Sequence, residues 1–171
     1  MKSPDSFPDY RAILWFMLLL LLLGGIQATA SSALRIAGGQ PDFVLSLALT
    51  SALLSNASMG TLSGLCAGLV TASLVGQTVG TIMASRVIAG FVAGCFTVRL
   101  YGSNIGVLLL GVFTGSVVAE LVSGIAAPRL TVMHWVQSAL VGSAMNAVLA
   151  LPLSFVLRRC GWQPTKPRTF P

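Results

Sequence analysis

Two ionisable side chains, Arg86 and Glu120, stand inside segments that are otherwise almost wholly apolar. Burying either alone would cost several kcal/mol on simulated scales and less on insertion scales, so each calls for a partner. Counted at about 1.5 Å per residue from the outer helix ends, Arg86 lies about 14 Å deep and Glu120 about 9 Å deep. Long side chains on adjacent antiparallel helices can meet across that difference, and the expectation is an intramembrane ion pair fixing the fourth helix to the fifth. The rival is that either residue binds a polar ligand or a partner helix. Gln27 and Asn146 are polar residues of the kind used as interhelical hydrogen-bond partners. The single histidine, His134, falls at a helix start near the surface and reads as a solvated interfacial residue. With no Ser/His/Asp arrangement and no pair of carboxylates at one membrane depth, the residues read against an enzyme. Cys66, Cys95 and Cys160 are far apart and lack metal-ligand spacing, so they are expected to act as small hydrophobes, with no metal, cofactor or disulfide inferred.

The elements that carry these residues must lie in lipid. From Phe43 to Ser85 the chain runs for more than forty residues without Asp, Glu, Lys or Arg. A hydrocarbon core about 30 Å thick takes roughly 20 apolar residues per helical crossing, so this run alone holds two. Over all 171 residues 55% are hydrophobic and only 8% charged, too little polar surface to cover a water-facing domain. The net charge of +6 comes without a cluster of Lys and Arg interleaved with aromatics, which argues against nucleic acid. The first apolar stretch, containing Leu18 to Leu23, is longer than a secretion-signal core and is read as a retained membrane helix.

The fold class expected is an all-α membrane protein of about six helices in a compact bundle. Residues 1–11, with Pro4, Pro8, Asp5 and Asp9, form a short tail; residues 12–157 form one transmembrane domain; residues 158–171 form a basic tail with no core-forming pattern. The spacing predicts helices over about Ala12–Ala30, Pro41–Leu54, Met59–Val75, Gln77–Val98, Ile105–Ala126 and Trp135–Leu157. Gly38 and Gly39 favour an irregular connection before a helix starting at Pro41. Gly60, Gly64 and Gly68 are spaced four apart, so they share a face across which backbones can approach, and the fourth helix repeats the device with Gly76 and Gly80 at its mouth, then Gly90 and Gly94. Gly111 and Gly115 mark the fifth.

Six crossings would put both ends on one side. That side, with the loop after the fourth helix, collects Lys2, Arg11, Arg99, Arg158, Arg159, Lys166 and Arg168, against Arg35 and Arg129 opposite, which predicts cytoplasmic termini. Trp15, Trp135 and Trp162 are compatible with interface positions.

The stretch Ile26-Gln27-Ala28-Thr29, a connector, then Gly38-Gly39-Gln40-Pro41-Asp42-Phe43-Val44-Leu45, resembles the rod-shape-determining membrane protein MreD family. Its first helix ends near a glutamine and its second starts with Pro-Asp and a leucine-rich run. Gly64, Gly68, Gly76 and Gly80 fall on the four glycines of a Gly-x3-Gly-x3-Asp-x3-Gly-x3-Gly frame, whose aspartate is replaced here by Ala72. The run Asn146-Ala147-Val148-Leu149-Ala150-Leu151-Pro152-Leu153 is similar to the family's last helix.

The resemblance implies a non-enzymatic subunit of the bacterial cell-elongation machinery in the inner membrane, involved in cell shape and peptidoglycan synthesis. Its partners would be an MreC-like membrane protein, an MreB-like filament, and the wall polymerase and transpeptidase. The implied mechanism is scaffolding, with glycine faces docking partner helices and Arg158 and Arg159 meeting anionic lipid or partner acids. The alternative is a substrate-binding subunit of an energy-coupling-factor vitamin transporter, an architecture which the family is thought to share. It needs polar and aromatic groups converging on an outward cavity. The outer connections offer only Arg35, Gln40, Asp42, Gln77, Arg129 and His134. A channel would need a polar stripe along a helix, and none is evident.

Overall fold

The structure, a computed structural model, describes residues 9–30, 33–36, 38–75, 79–99, 104–126 and 132–162. Among the described residues the chain forms six helices: α1 Tyr10–Ala30, α2 Phe43–Leu53, α3 Ala57–Val75, α4 Val79–Arg99, α5 Ile105–Ala126 and α6 Val132–Arg159. Five of them are long and apolar enough to cross a membrane, which makes this a multi-pass helical membrane bundle. The exception is α2. At 11 residues it is about 16 Å long, half the thickness of a hydrocarbon core.

The expected crossing over Pro41–Leu54 is therefore corrected to a short internal helix. Asp42, not Pro41, closes its start: the Asp42 backbone is extended (φ −111°, ψ 93°), and its side chain accepts from Leu45 N. Pro41 lies one residue outside the cap. Every residue from Val44 to Leu53 is buried, and α2 packs against each of the other five helices. Its two sides feed two apolar clusters. Val44, Leu47 and Ala48 meet Phe16, Leu20, Met59 and Leu157; Leu45, Leu49 and Leu53 meet Ala89, Ala93, Leu108 and Val112. Gly111 and Gly115 of α5 leave hollows filled by the Leu53 and Leu49 side chains.

The glycine stripe of α3 is used within the chain. A methyl at Gly60 would run into the carbonyl of Gly90, one at Gly64 into the carbonyl of Arg86, and one at Gly68 would lie 2.9 Å from Met83 Cα. The two backbones of α3 and α4 thus touch along a seam, the close approach that small residues permit in lipid. The expectation of a helix contact surface holds, but this face is consumed by α4 and is not free to dock a partner helix. Gly80 is different: among the described residues nothing lies within 4 Å of an added Cβ. Gly76 lies outside the described residues.

The first and last described segments meet at one end of the bundle. Phe16 near the start of α1 stacks on Trp162, ring centroids 5.4 Å apart, and the indole N–H donates to Ser51 O (3.2 Å) and Ser55 Oγ (2.5 Å) at the end of α2. Trp162 is 2% exposed, so it belongs to the core and not to an interface or a tail. The domain boundary expected at residue 157 moves accordingly, since α6 runs to Arg159 and the chain remains packed to Trp162. Pro152 sits inside α6 without ending it.

Candidate functional site: the capped start of α2 and the cavity beside it

The N-terminus of α2 lies deep in the bundle. Arg86, which reaches it, is seven residues into α4, and Asn146 is fourteen residues into α6, about 10 Å and about 20 Å from the respective helix starts. Exposed amides at that depth would cost several kcal/mol each, so they must be satisfied by protein groups or by water in a cavity. Side chains from α1 and α6, together with Asp42 itself, do this, and Ser116 of α5 holds the α6 side chain in place. Gln27 Oε1 accepts from Phe43 N at 2.8 Å, while its Nε2 donates to Pro41 O at 3.4 Å. Asn146 Oδ1 accepts from Asp42 N at 2.7 Å, and its Nδ2 donates to Ser116 Oγ at 3.1 Å. Asp42 Oδ1 accepts from Leu45 N at 2.8 Å. The expectation that Gln27 and Asn146 bind other helices holds, with one shared target.

The ion pair is not the one expected. Arg86 Nη2 meets Asp42 Oδ2 at 2.6 Å, and the two side chains are 10% and 20% exposed. Glu120 is not the partner of Arg86. The reason is the depth of α2: a helix starting inside the bundle carries its cap carboxylate to the level of Arg86, nearer than the Glu120 side chain of α5. One carboxylate thereby both ends a helix and neutralises a buried guanidinium. Arg86 Nε and Nη1 remain buried without a hydrogen-bond partner among the described residues.

The connector before α2 is built to reach this depth. Ile36 and Gly39 exchange both backbone hydrogen bonds at 2.9 Å, and Gly38 takes φ +84°, a region that favours glycine. Gly39 lies so close to α6 that an added Cβ would meet Gly142 N at 2.7 Å. Arg35 Nη2 donates to Gln40 Oε1 at 3.2 Å. Between connector, α5 and α6 lies a cavity of about 240 Å³, lined among others by Arg35, Gln40, Asp42, Glu120, Ser143 and Asn146. Ser143 is 1% exposed, and its hydroxyl has no hydrogen-bond partner among the described residues.

Ser116 and Ser143 were not singled out from the sequence. Ser143 could have been, because it stands three residues before Asn146 and so shares its face of α6. His134 is exposed on the first turn of α6, as expected of an interfacial residue. Arg158 and Arg159 close α6, both exposed, with the Arg159 guanidinium 5.1 Å from the Phe155 ring. Gln77 and Arg129 lie outside the described residues. Comparison of the chain with protein-family models, with curated proteins and with solved structures gives no match.

Proposed function

We propose that this chain is a non-enzymatic membrane scaffold of the bacterial cell-elongation machinery, seated in the inner membrane with both ends cytoplasmic. One observation supports the reading most: Gln27, Asp42 and Asn146, three of the residues that carry the resemblance to the MreD family, converge on the start of α2. They set the architecture, so the likeness rests on residues with a structural task and not on apolar composition alone. With the α3 seam occupied by α4, partner contact falls to the lipid-facing helix flanks. At the other end of α6, Arg158 and Arg159 suit anionic lipid or acidic partner segments.

The vitamin-transporter reading draws on the cavity beside α2. That cavity is about 240 Å³, below the roughly 300–1,000 Å³ usual for drug-sized ligands, and no aromatic side chain lines it among the described residues. It suits a vitamin poorly, which favours the scaffold. Affinity purification of the tagged full chain from its host membrane tests the choice. Recovery of an MreC-like protein, with loss of rod shape on depletion, supports the scaffold; recovery of paired ABC ATPases with micromolar vitamin binding overturns it.

A further inference from the structure

Where α1 begins and α6 stops, exposed cations stand on a backbone that is tied down. Gly161 takes φ +91° and its N–H donates to Arg158 O at 3.2 Å, while Trp162 N donates to Leu157 O at 3.0 Å, a closure that holds the last turn of α6. Ala12 of α1 packs on this turn, its Cβ 4.0 Å from where a Cβ on Gly161 would stand. Arg11 and Arg159 thus each lie within two residues of one contact between the first and last helices. Arg159 sets its guanidinium 5.1 Å from the Phe155 ring, and Arg11 spends Nε on the Tyr10 hydroxyl. Both arginines are exposed, and neither forms an ion pair among the described residues, whereas Asp9 and Arg158 have partners of their own.

Each cation heads an apolar stripe. From Arg11, at steps of helical spacing, run Trp15, Leu18 and Leu22; back from Arg159 run Phe155, Leu151 and Val148, and all six are exposed. Since α1 packs on α2 and α3, and α6 on α2 and α5, these stripes are left to the hydrocarbon.

We infer that the junction of α1 and α6 is a binding site for an anionic phospholipid, its phosphate meeting Arg11 and Arg159 and its acyl chains lying along the stripes. A guanidinium offers forked N–H donors that match phosphate oxygens, and the Phe155 ring holds one of the two at the level where lipid-facing aromatics meet headgroups. An acidic protein segment would match the charges but leave the apolar stripes uncovered. A phosphatidylcholine would cover the stripes but bring its own cation to the arginines. The site deepens what the scaffold reading assigns to the basic end of α6, rests on that reading for this contact, and adds Arg11 to it.

The test is native mass spectrometry of the full chain, purified and delipidated, titrated with dioleoyl phosphatidylglycerol and with dioleoyl phosphatidylcholine. Phosphatidylglycerol is expected to bind about ten-fold more tightly. That advantage should fall to about two-fold or less in the Arg11→Gln, Arg159→Gln double variant and persist in the Arg11→Lys, Arg159→Lys double variant, which keeps both charges. Melting temperature in phosphatidylcholine nanodiscs, expected to equal the parent's because both side chains are exposed, separates lost selectivity from lost structure. The inference is overturned if the two lipids bind alike, if the neutral double variant keeps the advantage, or if a hexaglutamate peptide binds through the two arginines more tightly than phosphatidylglycerol does. Any of these results leaves recovery of an MreC-like protein, which tests the scaffold, untouched.

Discussion

At the scale of single residues, Asp42 combines two duties whose loss can be separated. Removing the negative charge strands Arg86 among apolar neighbours, and breaking a buried pair in this way costs about 3–5 kcal/mol. Asp42→Asn is therefore expected to be strongly destabilising even though asparagine caps helices as well as aspartate does. Adding Arg86→Met, which takes the stranded charge away, should restore most of the loss, as read from thermal unfolding of the purified protein in detergent. Exchanging charges between Arg86 and Glu120 should restore nothing, because those two do not pair. The polar residues were legible in the sequence as helix-binding groups, and Gln27 and Asn146 are so used. The partner of Arg86 was not, because depth was counted along the helices that carry Arg86 and Glu120. Nothing in a residue's neighbours tells that the next helix begins well below the membrane surface.

At the scale of elements, the seam between α3 and α4 is held by backbone contact. Gly90→Ala drives a methyl into the carbonyl of Gly60, and overpacking of that kind typically costs about 1–3 kcal/mol, more where the obstacle is backbone. Gly80→Ala meets open space and should be neutral or stabilising by up to about 1 kcal/mol, since alanine is the better helix former. Melting temperatures of the two variants side by side check the contrast. The period of four in these glycines was readable because a helix brings every fourth residue near one face. Their partner was not, since a small-residue face suits a helix of the same chain as well as one from another. The α5 boundaries, Ile105–Ala126, agree with the expectation. In α6 the expected span Trp135–Leu157 already runs through Pro152, and the helix does so, but it extends further at both ends, from Val132 to Arg159, and so includes both Arg158 and Arg159.

At the scale of the whole molecule, the first and last described segments are joined through Phe16, Trp162 and the end of α2. Trp162→Ala removes a buried aromatic and both of its hydrogen bonds, with an expected loss of about 3–5 kcal/mol. Detergent melting or resistance to proteolysis reads that loss, and Trp162→Phe should recover only the stacking share. Fluorescent or phosphatase fusions should report both ends of the chain in one compartment, since the first and last described segments share one end of the bundle. The helical membrane class was plain from hydropathy, and the number of helices followed from the turn residues between them. The final tryptophan escaped because it stands among basic and proline-rich neighbours, where burial leaves no periodic mark.

The brevity of α2 bears on how the molecule is assembled during synthesis. A segment of 11 residues is too short to lodge in the bilayer as an independent stem, and its polar start is provided for by Gln27 and by Asn146, which is itself held by Ser116, the last two made much later in the chain. Nascent chains halted soon after residue 56 should therefore expose this stretch to aqueous cysteine labelling. Protection should come only once the final helix has left the ribosome, so that insertion of the outer helices precedes the closing of the bundle around its centre.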